Sequence, residues 1–251
     1  MRTNFFTFSK FFSGRIWNTI ITIITLLAFV AIFIKDSNYA FLSLIFFAVF
    51  LLIILGRIYY VTEKFLHQKN PQGVEKLYTS VKYFTRDGIM IEYEIKKIIQ
   101  CKQIIMDKHE HEYFWTGSKP PIISSESMRY EKTVEGENGF KKAVFKYKEP
   151  LLFNAGFVAH IKMELDDSDK TSNTHIGQAV KEKLQLISFN VQLLYKKGNV
   201  PDAKLSRRLI NTPNHPYETI KAVPFQNKTL SYEYDLYNPE VGYIYKIEWV
   251  R

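Results

Sequence analysis

Two long apolar runs stand near the start of the chain, ahead of a longer remainder of mixed composition. Residues 17–34 and residues 39–56 contain no charged side chain, and each run is 18 residues long. An α-helix rises about 1.5 Å per residue and the hydrocarbon core of a bilayer is about 30 Å thick, so each run is close to one membrane crossing. The rest of the chain is too small to bury two helices that are apolar on every side. The pattern predicts a transmembrane helical hairpin over residues 16–62.

A cleaved signal peptide is the alternative interpretation of the first run. Its apolar core would be about 7–15 residues long and would be followed by small residues at a cleavage site. The first run is longer, and the sequence FIKDSNY at residues 33–39 offers no such site. The second apolar run then follows almost at once. We therefore interpret both runs as membrane anchors.

Lysine and arginine flank the predicted hairpin on both outer sides. Three Lys or Arg residues and no acidic residue precede residue 17, and residues 57–69 hold three against one glutamate. In the short loop between the runs, Lys35 and Asp36 cancel. Positive flanks stay on the cytoplasmic side of a membrane. We therefore predict a multi-pass protein of a bacterial inner membrane with both termini cytoplasmic, and residues 1–15 as an N-terminal cytoplasmic tail.

Alternation with a period of two residues replaces the apolar runs from about residue 75. In residues 89–95, apolar side chains occupy every odd position, which is typical of a strand with one buried face. Seven or eight such stretches are separated by segments rich in Pro, Gly, Asn and Asp. The predicted fold class is membrane-anchored all-β, with a juxtamembrane linker at residues 63–74 and a cytoplasmic antiparallel β-sandwich or barrel over residues 75–251. The polar stretches 118–139 and 203–221 are predicted as long loops.

The net charge of +9 is concentrated near the predicted membrane segment. Residues 1–69 hold seven Lys and Arg against two Asp and Glu, which gives +5, and residues 70–251 hold 27 against 23, which gives +4. Basic residues beside a membrane segment attract anionic headgroups. The β domain is only mildly basic, so we predict the lipid bilayer as a partner and no stable DNA binding. The single cysteine, Cys101, excludes an internal disulfide and a cysteine-rich zinc site.

The sequence HEH at residues 109–111 is the most suggestive local cluster. On a strand, His109 and His111 project from one face about 7 Å apart, as a pair of metal ligands would. A third ligand, such as His160 or His175, would have to come from another strand. The other interpretation is a polar strand face whose imidazoles are solvated or hydrogen-bonded. We predict no metal and no cofactor.

Tyr113 and Trp115 continue the same strand face and add aromatic surface to it. Such a face stacks on a nucleotide base or closes a small-molecule pocket, although a tryptophan near a strand end also packs readily into a core. In the second predicted loop, Arg207 and Arg208 would either clamp a phosphate or face lipid headgroups. The predicted ligand-binding set unites both groups: His109, His111, Tyr113, Trp115, Arg207 and Arg208.

Sequence motifs of catalytic nucleophiles and phosphate loops are absent from the chain. It contains no G-x-S-x-G, Walker, G-x-G-x-x-G, H-E-x-x-H or C-x-x-C sequence. Cys101 stands in an apolar stretch, which does not activate a thiol, and Ser124 and Ser125 have no histidine beside them in sequence. We predict that the chain is not an enzyme and has no catalytic residues.

The order of elements resembles a class of bacterial antiphage effectors. These are the two-transmembrane, β-strand-rich membrane effectors of cyclic-oligonucleotide-signalling or retron-associated systems. The resemblance is carried by the paired spans 17–34 and 39–56 and by the strands from Ser80 to Trp249, and it is one of architecture without a residue motif. It implies a cytoplasmic β domain that receives a cyclic nucleotide or a defence-system protein as its cue. It also implies hairpins that form a homo-oligomer and disrupt the inner membrane.

A function of another class fits the same order of elements. The chain would then be a non-enzymatic, membrane-anchored binding or scaffold module for a cytoplasmic protein partner. Both spans are almost free of polar residues, so one hairpin does not line a water-filled path. That permits a passive anchor as well as an effector that acts only as an oligomer. Sequence alone leaves both functions open.

Overall fold

The computed structural model of the chain describes residue 23 and residues 37–136, 139–212 and 215–251. Within these residues, one long helix precedes thirteen strands. This order confirms the prediction of an apolar helix ahead of a strand-rich domain. The predicted cytoplasmic tail and the first span lie outside the described residues apart from Ile23, so the two-helix hairpin stays a prediction.

Helix α1 extends from Ser37 to Lys69 and contains the second apolar run. No proline interrupts these 33 residues. No side chain from residue 41 to residue 56 is buried, so the apolar surface of the helix is left open along this stretch. An 18-residue stretch of the helix has a mean hydropathy of 2.7, so the helix is long and apolar enough to cross a membrane.

The chain leaves α1 through a tight turn at residues 70–73. The Gly73 N–H donates to the Asn70 carbonyl at 2.8 Å, which closes the turn. Gly73 has a φ of +70°, and a Cβ at this position would collide with the side chains of Gln103 and Met106. The turn therefore requires glycine for its backbone conformation, and the ends of the Gln103 and Met106 side chains would have to shift to admit a Cβ.

We expect Gly73→Ala to lower the thermal stability of the full-length protein in detergent micelles more than Gly198→Ala does. Gly198 also has a positive φ of +83°, but nothing lies within 4 Å of a Cβ there. Both substitutions therefore carry backbone strain of about 1–2 kcal/mol, and only the first adds a collision. Melting temperatures from circular dichroism test the difference. Equal losses would show that Gln103 and Met106 move aside at no cost.

The strands of the β domain follow α1 without another helix among the described residues. Their bounds in chain order are β1 Val74–Thr85, β2 Met90–Cys101, β3 Ile105–Tyr113, β4 Ile122–Ser124, β5 Met128–Glu135, β6 Lys141–Leu152, β7 Gly156–Asp166, β8 His175–Ala179, β9 Leu186–Leu193, β10 Ala203–Leu209, β11 Glu218–Val223, β12 Ser231–Tyr237 and β13 Tyr243–Glu248.

The two stretches predicted as long loops contain strands, which corrects the sequence prediction. Residues 118–139 include β4 and β5, and residues 203–221 include β10 and the start of β11. Most side chains of β5 and β11 are exposed, so these strands lack the alternation of apolar and polar residues that marks a half-buried strand.

The strands form three sheets. The six-stranded sheet has the order β12-β9-β1-β2-β7-β4, the four-stranded sheet β11-β10-β13-β8, and the three-stranded sheet β3-β6-β5. Neighbouring described strands are antiparallel except β1 and β9, which run parallel from Tyr78 opposite Leu186 to Thr85 opposite Leu193. A hairpin turn forces the two strands that it joins to be antiparallel, and no hairpin turn joins β1 to β9. The domain is therefore not purely antiparallel.

The core lies between the six-stranded sheet and the two smaller sheets. One hydrophobic cluster joins β1, β9 and β12 to β10 and β13, and a second joins β2 and β7 to β3, β5 and β6. Tyr83 and Tyr93 pack against both clusters. The six-stranded sheet is open, with β12 and β4 at its edges. This layered arrangement favours the predicted sandwich over the predicted barrel.

Candidate functional site

Strand β3 turns its histidine face toward the interior. His109, His111 and Tyr113 share one face, as their spacing predicts, and they are 6%, 5% and 8% exposed. The charged side chains of Glu110 and Glu112 alternate with them and point to solvent. The imidazoles therefore lie on the inner side of the three-stranded sheet, facing the six-stranded sheet.

Lys97 of β2 lies opposite these histidines. Its Nζ is 3.0 Å from Nδ1 of His111, and its side chain is buried. Thr79 of β1 stands beside Lys97 in register and is also buried. Among the described residues, Oγ1 of Thr79 and Nε2 of both His109 and His111 have no hydrogen-bond partner. We call these four residues the interior polar cluster.

Burial controls the protonation of the interior polar cluster. Desolvation, helped by the charge of Lys76, lowers the pKa of Lys97 to about 7, although two glutamates act in the opposite direction. Desolvation and the nearby Lys97 lower the pKa of His109 to about 3 and the pKa of His111 well below its ordinary value. Both imidazoles are therefore neutral near pH 7, while Lys97 is divided between its neutral and charged forms.

A lysine amine that is neutral near pH 7 has the chemistry of a nucleophile or a general base. Lys97 is only 5% exposed, so a substrate does not reach it in this conformation, and the buried imidazoles are equally inaccessible to a stacked base. The predicted stacking face is thus an internal surface. Each buried polar atom without a partner costs about 1–3 kcal/mol, so the interior polar cluster destabilises the domain in this state.

The two histidines are not joined by a third metal ligand. His160 lies on β7 in register with Lys96, on the opposite face of the sheet from Lys97, and His175 lies on β8. No group of three His, Cys, Asp or Glu side chains is placed to hold a metal ion within the part of the chain that the structure describes.

His160 forms a charged network that the sequence did not predict. Its Nε2 is 2.5 Å from Oε1 of Glu94 and its Nδ1 is 3.1 Å from Oε2 of Glu126, so carboxylates flank the ring on both sides. Glu126 also pairs with Lys162. The partners are 66 and 34 residues from His160 in sequence, so only strand pairing brings them together. This network fixes the segment before β5 on the outer face of the six-stranded sheet.

Trp115 lies just beyond the end of β3 and packs against the core cluster of the three-stranded sheet. Its Nε1–H donates to the Lys119 carbonyl at 2.8 Å. A Cβ at Gly117 would overlap the indole ring, so the turn after β3 is closed around the tryptophan. The packing interpretation therefore describes the contacts of Trp115 in this structure, and ligand stacking stays a prediction.

Arg207 lies on β10 and not in a loop, and its guanidinium is engaged by two carboxylates. Nε is 3.1 Å from Oε2 of Glu218, and Nη1 is 2.9 Å from Oε1 of Glu240. These two hydrogen bonds raise its pKa further above its ordinary value. The guanidinium carbon also lies 4.7 Å from the ring centroid of Tyr243. Arg207 therefore holds β10, β11 and the turn before β13 together.

Arg208 stacks on an aromatic ring beside a second cation. Its guanidinium carbon is 4.6 Å from the ring centroid of Tyr217, and Nζ of Lys246 is 4.1 Å from the same centroid. We call Arg208, Tyr217 and Lys246 the Tyr217 patch. It combines positive charge with an aromatic face on the four-stranded sheet, which is the chemistry that anionic and nucleotide groups bind.

The two halves of the predicted ligand-binding set belong to different sheets. His109, His111 and Tyr113 are in the three-stranded sheet, while Arg207 and Arg208 are in the four-stranded sheet. The two sheets pack on different parts of the six-stranded sheet. The structure therefore does not assemble one site from these residues, because sheet membership depends on pairings between distant strands.

Thr79 and Lys97 are the members of the interior polar cluster that the sequence did not predict, although the signal of Lys97 is present. Ile95, Lys97 and Ile99 occupy alternate positions of β2, and both isoleucines are buried. A lysine on the apolar face of a strand is unusual, because lysine is almost never fully buried without a partner. That position, and not the HEH sequence alone, marks the cluster.

No protein-family model matches the chain, and no curated protein sequence matches it. Among solved structures, the chain is similar to the M1 zinc metallopeptidase from Deinococcus radiodurans, with 7% identity and a TM-score of 0.38 over 70% of this chain and 42% of that chain. It is also similar to native yeast LTA4 hydrolase, with 10% identity and a TM-score of 0.40 over 71% of this chain and 30% of that chain. The chain thus covers less than half of either protein. At these values the likenesses assign neither a family nor an activity.

Proposed function

We propose that this chain is a membrane-anchored effector of bacterial antiphage defence. The β domain receives a nucleotide or protein cue in the cytoplasm, and the apolar helices of several copies assemble and disrupt the inner membrane. The observation that carries this proposal is α1, in which no side chain from Phe41 to Gly56 is buried and none is charged. Such a surface is stable in lipid and not in water, which supports a membrane anchor. The architectural resemblance supports the effector role.

The interior polar cluster supports a β domain with two states. Thr79, His109 and His111 are buried with unsatisfied polar atoms beside the buried Lys97, and a domain selected for stability alone would fill this space with apolar side chains. Departures of this kind are expected at functional sites. In our proposal, cue binding favours a second arrangement in which these groups gain partners, and that arrangement is the one that assembles.

The Tyr217 patch is the proposed contact for an anionic cue. The imidazole face is internal, whereas Arg208 and Tyr217 are partly exposed on the four-stranded sheet. A phosphate beside Arg208 would use the positive charge of the patch, and Lys246, which pairs with Glu248 at 2.9 Å, lies over the same ring. This replaces the strand face of β3 as the proposed recognition surface.

Membrane permeability in a bacterial host tests the effector function. The full-length chain is expressed at increasing levels, because mass action then drives assembly without the unidentified cue. Membrane potential is followed with a potential-sensitive dye and permeability with propidium uptake. The matched control chain carries Phe46→Arg and Phe47→Arg in the apolar surface of α1. We expect depolarisation and propidium uptake with the native chain and neither with the control at equal expression.

Two results would overturn the effector function. Unchanged permeability at every expression level, with the protein in the membrane fraction, would leave α1 as a passive anchor. Equal damage from the native and control chains would show that the toxicity does not arise from α1.

Strand β11 favours the second candidate function, a membrane-anchored binding module for a protein partner. It lies at the edge of the four-stranded sheet, and five of its six side chains are exposed. An exposed edge strand is a surface on which a partner adds a further strand. Thr219→Pro would remove one backbone N–H of β11 at an exposed position. Loss of a crosslinked cytoplasmic partner in this variant, with unchanged permeability, would favour the binding module.

A further inference from the structure

An apolar tip stands at one end of the β domain. Its centre is Ile105 at the start of β3, Leu152 at the end of β6, and Phe153 in the turn that follows. Leu152 and Phe153 are 62% and 49% exposed. Ile105 is exposed as well. We call these three residues the apolar tip, and a concentration of exposed apolar side chains of this kind marks a contact surface.

Backbone hydrogen bonds connect the apolar tip to the turn that follows α1. The Lys102 N–H donates to the Gly73 carbonyl at 2.9 Å, and the Asn154 N–H donates to the Cys101 carbonyl at 2.8 Å. Ile105 follows the first of these segments, and Phe153 precedes Asn154. The apolar tip therefore lies at the end of the β domain where the chain arrives from α1.

The length of α1 keeps this end of the domain near the membrane surface. Its 33 residues at about 1.5 Å per residue give a helix of about 50 Å. A bilayer including its headgroup regions is about 40–45 Å thick. A helix that crosses the whole bilayer thus extends only about 5–10 Å beyond it, and the turn at Asn70–Gly73 adds little to that distance.

We infer that the apolar tip inserts into the headgroup region of the same bilayer that α1 crosses. This inference rests on the membrane attachment in the proposed function. Leucine and phenylalanine are the side chains that peripheral segments bury at this depth, about 5–10 Å into the interface. Lys64 and Lys69 near the end of α1 favour anionic headgroups beside the tip.

Lipid is the occupant that the connectivity favours. The tether places the apolar tip at the membrane in every copy of the chain, without the need for a second molecule. Insertion would also fix the orientation of the β domain on the membrane.

An environment-sensitive label on single introduced cysteines tests this inference in the full-length protein. Phe153→Cys carries the label NBD at the tip, and Met90→Cys is the matched control. Met90 is an exposed apolar residue with 52% exposure, and it lies at the other end of β2, about 40 Å away for 12 residues of strand. The native Cys101 is fully buried and does not react in the folded protein.

The labelled proteins are reconstituted in liposomes of phosphatidylethanolamine and phosphatidylglycerol, with and without lipid that carries a doxyl quencher near the headgroup. We expect the emission of the label at residue 153 to shift to the blue and to be quenched by the doxyl lipid. The label at residue 90 should show neither effect. Leu152→Cys should repeat the result of Phe153→Cys, which guards against a variant that fails to fold.

The outcomes separate this inference from the proposed function. If the protein floats with the liposomes while both labels report water, the tip does not dock and the membrane anchor stands. If the protein does not float with the liposomes, the proposed membrane attachment is wrong. A blue shift without doxyl quenching, together with energy transfer between labels on different copies, would assign the tip to a second copy of this chain and overturn lipid docking.

Discussion

With Phe46 and Phe47 both replaced by arginine, we expect α1 to lose its membrane crossing. Both phenylalanines are exposed on α1 near the middle of its uncharged stretch. An arginine at the centre of a crossing helix costs about 2.5–3.5 kcal/mol, so the pair costs on the order of 6 kcal/mol. Tyr59→Arg with Tyr60→Arg is the matched control, because these exposed aromatic residues lie beyond the uncharged stretch, where arginine reaches the headgroups.

Reporters fused after Arg251 measure the outcome. For the native chain, the basic flanks predict that a fused alkaline phosphatase is inactive and that a fused cytoplasmic fluorescent protein is fluorescent. In the Phe46→Arg, Phe47→Arg variant, the first apolar run either inserts alone and carries the C-terminus outside, or does not insert and leaves a chain without an anchor. Phosphatase activity marks the first result and loss from the membrane fraction marks the second. The control should keep the native pattern.

Two results would contradict this topology. An unchanged reporter pattern and fractionation in the double-arginine variant would show that α1 does not cross the membrane. An active phosphatase on the native chain would refute the charge argument and place the β domain outside the cytoplasm.

Local patterns were sufficient to predict the helix and most of the strands. The uncharged stretch from Tyr39 to Gly56 predicts α1, and the alternation in residues 89–95 predicts most of the first half of β2. Strands β5 and β11 were not predicted because their exposed side chains carry no alternation. The parallel pairing of β1 with β9 was not predictable either, since it joins strands that are distant in sequence and share no turn.

The candidate site was predictable in part. Glu110 and Glu112 occupy one face of β3, so the face with His109 and His111 had to be the inner one, and this signal is present in the sequence. The spacing shows which residues share a face, and the charges show which face is buried. The hydrogen-bond partner of His111, Lys97, comes from another sheet, and its distance from His111 depends on packing that no local pattern contains.

For the native protein, we expect the free energy of unfolding to rise as the pH increases from 7 to 10. In the unfolded chain Lys97 has its ordinary pKa of 10.5, while in the folded domain its pKa is about 7. Between these values the unfolded chain binds more protons than the folded one, so raising the pH stabilises the fold. Each pH unit in this interval contributes about 1.4 kcal/mol, which gives about 4 kcal/mol from pH 7 to pH 10. Below pH 7 the lysine is charged in both states. The full cost of burying its charge then applies, and the free energy of unfolding no longer changes with pH through this group.

Other titrating groups act mainly outside this interval. His109 and His111 have lowered pKa values, so they destabilise the fold only as the pH falls below about 6.5, the ordinary histidine value. Tyr83 and Tyr93 have raised pKa values because they are buried, and they destabilise the fold only above about pH 10. The slope between pH 7 and pH 10 is therefore assigned to Lys97 by comparison with a variant that lacks it.

Lys97→Met is that variant, because methionine fills a similar volume without a titrating group. Urea unfolding of the full-length protein in detergent micelles at pH 7, 8, 9 and 10 should give a slope smaller by about 1.4 kcal/mol per pH unit than in the native protein. The variant also leaves Nδ1 of His111 without its partner, which lowers the free energy of unfolding by about 1–3 kcal/mol. This loss does not change with pH in this interval. Lys96→Met is the matched control, since Lys96 is the neighbouring residue on the outer face with a side chain 50% exposed, and it should keep the native slope. Equal slopes in all three proteins would show that Lys97 is solvated in the folded domain, and the interior polar cluster would then be open to water.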